Sequence, residues 1–383
     1  MRAILAVIWP LLLSVGFLLL GSGIQGGLLG VRGGLEHFST TSMALVMAAY
    51  FAGMLLGSQI APKLIAQAGN VRVIAAMGLL LVVALLGYGL LPQVWFWIFC
   101  RILTGIAMAG IYVATDSWLN KISGDETRGQ VLSLYMVMQM LGIIAAQALL
   151  NAADPSGMVL FMLAAVLVSV GLLPFLLSGV QAPPYQAARR MGLAELYRLS
   201  PLGCAGMVLS GGVYSAMMGM ASVWGTQSGL NLQQISVFIG AMYLGGLIFQ
   251  YPLGWLSDRM ERRRLVVVLS AIGGGLMLLT ALLPMGFALQ VAMALALGGI
   301  VNPVYGLLIA HTNDGLEPER MPGASSALLF LNGLGAVFGP LITGQMMTRF
   351  GPPGFFLFIA VLLLALALYG IWRSLARPGA KRV

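Results

Sequence analysis

Charge is scarce in this 383-residue chain: Asp, Glu, Lys and Arg together make up 8% of it. A soluble domain carries about 25% charged residues. So little charge cannot cover a globule of this size, and a water-soluble protein is excluded. Histidine and cysteine are scarcer still, with two residues of each. Two histidines cannot build a His-rich metal centre, and the chain has no Cys-x-x-Cys pair and no His-Glu-x-x-His stretch. No metal site and no cofactor are expected. Cys100 and Cys204 both fall in apolar runs, where a thiol behaves as a small buried hydrophobe. A Walker loop is also missing, so ATP is not expected to drive the protein directly. No nucleophile, base and orienting group stand at a useful spacing, which argues against an enzyme.

What is present is hydrocarbon. The chain is 60% hydrophobic, with a mean hydropathy of +0.96. A run of about 20 apolar residues reads as a membrane-spanning helix. Twelve such runs lie near residues 4–30, 41–66, 71–91, 94–120, 129–150, 158–178, 201–226, 234–256, 265–283, 287–311, 325–348 and 354–375. Helices are implied, because an open sheet edge cannot survive in lipid and the alternation of a barrel strand is absent. The first run follows Arg2 and ends in small residues, as a signal peptide would. It is long enough to span, and removing it would leave an odd number, so it reads as an uncleaved first span.

The net charge of +9 does not form a groove or a basic face. It punctuates the ends of the apolar runs, which sets topology and gives no reason to expect a nucleic-acid partner. With the N-terminus inside, 17 of the 20 Lys and Arg fall on the cytoplasmic side and only Arg32 and Arg349 fall outside. Both termini are therefore expected in the cytoplasm, with the protein in the plasma membrane of a bacterium, the inner membrane.

The longest hydrophilic connection, 179–200, divides the chain into six spans (1–178) and six spans with a short tail (201–383). Within it MGLAELYRL reads either as a short amphipathic helix or as a plain linker. The halves repeat weakly. At an offset of 193, Gly105 meets Gly298, Tyr112 meets Tyr305, Glu126 meets Glu319, Ser133 meets Ser326 and Gly142 meets Gly335. The expected fold is an all-α integral membrane protein of two pseudo-symmetric six-helix bundles. Such repeats mark transporters, with the cargo site at mid-depth.

One segment breaks the oil. GWLSDRMERRR, Gly254 to Arg264, holds six charged side chains between spans eight and nine. It resembles the signature loop of the major facilitator superfamily: Gly254, Asp258 and Arg259, a spacer, then Arg262 and Arg263. Span number, central loop and repeat agree with that family over the whole chain. TDSWLNKISGDETRGQVLSLYM (115–136) and AGNVRV (68–73) are similar to its YcaD-like branch. The resemblance implies a latch between the halves on the inner side. Gly254 would allow close helix approach, and Asp258 would favour the amides at the start of span five. The arginines would pair with carboxylates such as Asp116, Glu126 or Asp314. The first half lacks the motif, since Ala66 stands where Asp258 would and only Gly69 and Arg72 remain. One latch is expected.

Arg101 is the one full charge well inside a span. It lies about 12 Å along its helix from Gln93, near the midplane of a core about 30 Å thick. An ionisable group at that depth is a functional candidate. Arg101, Gly105, Met108 and Tyr112 share one helix face. No carboxylate is available at mid-depth, so either an anionic cargo or polar groups and water must partner the cation. In the resembled family spans one, four, seven and ten line the cavity, which nominates Gln25, Arg101, Tyr112, Tyr214, Asn302 and Tyr305, with Gln139 and Asn332 from spans five and eleven. Trp224 is expected at the membrane interface. His311 beside Asp314 reads as a solvated helix end. The expected function is movement of a small organic molecule by alternating access, with lipid around a monomer and no obligate protein partner. The alternatives are an exporter of amphipathic compounds and a transporter-like receptor that does not transport.

Overall fold

The computed structural model describes residues 2–122, 128–177, 191–317 and 319–376. Among them every regular element is helical. Twelve helices are long and apolar enough to cross a membrane. Six of them are Arg2–Leu35, Thr40–Ala68, Asn70–Leu90, Val94–Ile122, Arg128–Leu149 and Val159–Leu177. The other six are Pro201–Gln227, Leu232–Ser257, Arg262–Leu282, Phe287–Asn313, Met321–Phe350 and Pro353–Ala376. Here they are spans one to twelve.

Short-range chemistry sets the ends. Ser39 caps span two, its Oγ accepting from the Ser42 amide at 3.1 Å. Asn231 and Gln234 form a reciprocal box before span eight: each side-chain oxygen accepts from the other's amide, at 2.9 and 3.0 Å. Gly69 turns span two into span three at φ 83°, a left-handed conformation that suits glycine. Span nine starts at Arg262, earlier than the run at 265–283 suggests, with Glu261 at the N-cap position and the three arginines in the first turn. The seven-residue helix Leu193–Leu199 precedes span seven. Its Leu196 is fully buried against the second-half core, and Arg320 pairs with Glu195. The stretch is thus a short helix docked on protein.

The chain divides into two compact units. One comprises Met1–Ala187 with Ala221–Gly240, the other Ala188–Met220 with Ala241–Val383. The passage within span seven falls at a π-helical segment, Ala216–Met220. A π-turn inserts one residue per turn and breaks the side-chain register. Beyond it, Ala221–Gln227 packs on span one, Ser222 donating to the Gly26 carbonyl at 3.4 Å; in the same unit Asn151, just after span five, donates to Ser236 of span eight at 3.2 Å. Trp224 is corrected here. It is 2% exposed and packs on Phe238 at 4.5 Å between ring centroids. Span one covers that end of span seven, so the ring meets protein and not headgroups.

Each unit repeats the same helix crossings. In the first unit Gly105 of span four lies on the backbone of Tyr50 in span two, and Gly142 of span five lies on Gly16 of span one. In the second, Gly298 of span ten lies on Met242 of span eight, and Gly335 of span eleven on Val208 of span seven. The repeated glycines are the sites where two backbones touch.

On the Arg32 side, Arg32 donates to the Pro155 carbonyl at 3.3 Å and pairs with Glu36 at 2.7 Å. Asp154 accepts from the Ser156 amide at 2.8 Å. That bond holds its carboxyl below the usual carboxylate range. A depressed carboxylate stabilises the fold above its unfolded pKa and loses that stabilisation as pH falls through the folded value. The turn should therefore stay closed at pH 4 and loosen only below it. Amide exchange at Ser156, followed down in pH, checks this: protection lost already above the ordinary Asp value of about 3.9 contradicts it.

Candidate functional site

The polar interior of the first unit is built around span four. Arg101 is 4% exposed. Its guanidinium donates to the Met47 thioether and lies 5.3 Å from the ring centroid of Tyr50, both in span two. Its Nε is buried with no hydrogen-bond partner. Among the described residues no carboxylate pairs with it. One turn on, Thr104 gathers three groups. Its hydroxyl pairs with Tyr88 at 2.9 Å, donates to the Cys100 carbonyl at 2.8 Å, and receives the Gln25 amide at 3.5 Å. Trp97 closes the far side, donating to the Tyr88 carbonyl at 3.0 Å.

The structure thus brings two sequence candidates, Gln25 and Arg101, toward one polar cluster, and adds four residues that the sequence did not single out: Met47, Tyr50, Tyr88 and Thr104. The face carrying Arg101 and Gly105 is turned to span two. Tyr112 lies two turns beyond Gly105, half-buried. Gln139 in span five is half-buried.

In the second unit Asn302 donates to the Gly298 carbonyl at 3.0 Å. Its amide also stands against Gly246, where a Cβ would come within 2.5 Å of it. Asn332 donates to the Met207 carbonyl at 3.2 Å. Tyr305 packs at the edge of that unit's core. Tyr214 is 38% exposed. At the offset that pairs Gly105 with Gly298, Arg101 falls on Ala294 and Thr104 on Leu297, both fully packed in apolar core. The scaffold stands without these polar groups in one unit, so in the other they are additions to it.

The charged loop forms a cluster of its own. Arg262 pairs with Asp314 and lies 3.8 Å from Asp258. Arg263 donates to the Gly370 carbonyl at 3.3 Å. Arg259 stacks on Trp255 at 3.7 Å. Asp116 is exposed at the far end of span four, next to the Tyr135 hydroxyl. Among the described residues the close helix approach expected at Gly254 is not made: a Cβ there meets none of their atoms within 4 Å. The glycine sits in the last turn of span eight with its surroundings open. Glu126 lies outside the described residues. Cys100 and Cys204 are free and buried.

Twelve spans in two repeated bundles, with one polar cluster grafted onto one of them, define a membrane transporter fold. The chain belongs to the major facilitator superfamily: the family's own description matches residues 202–383, and the "Sugar (and other) transporter" description matches residues 21–177. Among curated proteins it is similar to the MFS-type transporter YcaD of Escherichia fergusonii, 25% identical over 85% of both chains. It is also similar to YcaD of Escherichia coli, 27% identical over 85% of both. Among solved structures it matches the nucleoside transporter NupG at a TM-score of 0.78, with 14% identity over 97% of this chain and 99% of that one. It also matches a bacterial homologue of the human lysosomal transporter Spinster, in an inward-facing and occupied conformation, at 0.77, with 14% identity over 96% and 97%. At such identities these structures establish the fold alone.

Proposed function

We propose that the chain moves a small organic anion across the bacterial inner membrane by alternating access, as a secondary or facilitative transporter and as a monomer with both termini inside. The observation that carries this is Arg101. A buried cation without a carboxylate is costly. Its described acceptors are a thioether, which accepts weakly, and an aromatic face. A purely structural brace would be given carbonyls or a carboxylate. A cargo that brings its own negative charge supplies the missing partner when it binds, and the neighbouring hydroxyls of Tyr88 and Thr104 and the amide of Gln25 can orient it. Tyr112, Tyr214, Asn302, Tyr305, Gln139 and Asn332 are proposed as further cargo contacts.

A panel of small acids and neutral metabolites, screened by thermal shift on the purified protein, tests this. Ligand that binds the folded state raises Tm by mass action. The reading expects the hits to be anions. Hits confined to neutral or cationic compounds would sink it. Binding without flux in sealed proteoliposomes would make the protein a receptor.

Asp258 and the arginine cluster are proposed as the latch of the inner mouth, with Arg259, Arg262, Arg263, Asp116 and Glu126 as its other parts. Asp258 carries half of an exposed charge pair with Arg262. Asp258→Asn removes its charge with little change of shape. The expected result is a shift of the resting population toward the inward-open form, read as a several-fold faster labelling of cysteines placed in the inner mouth. Unchanged labelling rates would remove Asp258 from the mechanism.

A further inference from the structure

The second unit holds a cavity of about 170 Å³ that the cargo reading does not use. Four helix ends meet there. Ser200 and Pro201 open span seven, Arg263 stands in the first turn of span nine, His311 and Thr312 lie in the last turns of span ten, and Arg373 stands near the end of span twelve. We propose that this cavity is a binding site for a phosphate-bearing anion.

Its charge is of one sign. Among the described residues no carboxylate lines it. The neighbouring arginines have their acids: Arg262 pairs with Asp314, Arg264 with Glu261, and Arg320 with Glu195. Among the described residues Arg263 and Arg373 have none. Among those residues Arg263 reaches the Gly370 carbonyl alone, and its Nε is buried with none of them as a partner. Arg373 lies 5.9 Å from the ring of Trp372. Two guanidinium forks on different helices, facing one hollow, suit the oxygens of a phosphate better than a single lysine would. The floor of the cavity is the first turn of span seven. There the helix presents the positive end of its dipole, and Pro201 at the first position leaves the Leu202 amide as the first free to point outward. Ser200 and Thr312, 3.1 Å apart and both buried, add hydroxyls. Ser200 also caps the Gly203 amide at 3.2 Å, which fixes its position.

Two sources can supply the phosphate. The cavity lies on the face that the basic residues assign to the cytoplasm. Trp372 and Leu375, on the same helix as Arg373, are 58% and 75% exposed, as suits a helix end at the headgroup level. An anionic phospholipid and a soluble phosphate share the group that the arginines would hold.

The test measures binding to the full-length protein in detergent, with phosphatidylglycerol in one arm and inorganic phosphate in the other. Native mass spectrometry counts retained lipid, and thermal shift reads phosphate. Arg263→Gln and Arg373→Gln should each weaken binding about tenfold, as expected for loss of a hydrogen-bonded charge. Arg264→Gln, on the exposed neighbour already paired with Glu261, should leave it within about twofold. If the glutamine variants fold poorly, Arg263→Lys and Arg373→Lys keep the charge and lose the fork. They should bind more weakly than wild type and more tightly than any glutamine variant that can be measured. Retention of the lipid alone assigns the site to the membrane, and a response to phosphate alone assigns it to a soluble ligand. No response to either probe overturns the proposal, as does an equal loss in Arg264→Gln. Cargo binding at Arg101 stands or falls separately.

Discussion

Arg101→Ala should abolish anion binding while leaving the empty protein as stable as before, or more stable. Truncating one partner of a buried, hydrogen-bonded charge pair costs about 2–5 kcal/mol of binding, a loss of about thirty-fold to several thousand-fold in affinity. The unliganded protein behaves differently. Arg101 is 4% exposed and has no carboxylate among the described residues. Removing it strands no opposite charge and relieves the desolvation of a cation. A bracing role predicts the reverse: Tm of the empty protein falls and ligand affinity changes little. Arg101→Lys separates charge from shape. It keeps the cation but gives up the planar stacking on Tyr50, so it should recover part of the affinity. Isothermal titration with the best acid from the panel, beside thermal melts without ligand, distinguishes the two roles in one set of proteins.

Gly298→Val should prevent accumulation of folded protein, and Gly298→Ala should lower its stability by about 1–3 kcal/mol, the ordinary cost of overpacking. A Cβ at Gly298 would run into the Met242 carbonyl. The obstruction is backbone, which cannot swing aside as a side chain can. Gly306 in the same helix is the control, since a Cβ there meets nothing within 4 Å. Gly306→Ala should be neutral or stabilising by about 0.5–1 kcal/mol, because alanine suits a helix better than glycine. The buried thiols of Cys100 and Cys204 provide the readout: a thiol-reactive dye reports their exposure as the protein melts. Equal melts for Gly298→Ala and Gly306→Ala would show that the crossing tolerates a methyl group.

The spans were legible because lipid imposes a simple rule, a run of apolar residues of fixed length, and composition states it without ambiguity. The repeat was legible for a related reason. Gly105 and Gly298 answer the same close crossing, and at both the backbone of the crossing helix leaves no room for a Cβ. Arg101 stood out as a charge in oil. Its surroundings did not. Met47, Tyr50, Tyr88 and Thr104 are single residues in runs where a Tyr or Thr is unremarkable, and only the packing of spans two and three on span four gives them a common role. The π-helical segment at Ala216–Met220 leaves no mark in AMMGM that differs from an ordinary helical stretch. Trp224 is not legible, because an aromatic near a span end suits either headgroups or a covering helix, and the sequence does not say that span one is there. Arg263 and Arg373 are 110 residues apart in the chain, and the loop pattern claimed the first of them for a latch. Their meeting at one cavity needed three dimensions.

Counterflow in sealed proteoliposomes tests the central claim most directly. Vesicles loaded with the unlabelled acid that gives the largest thermal shift should accumulate the labelled acid transiently, with saturation, and vesicles carrying Arg101→Ala should not. Accumulation that survives Arg101→Ala unchanged, or none with any anion tried, would contradict it.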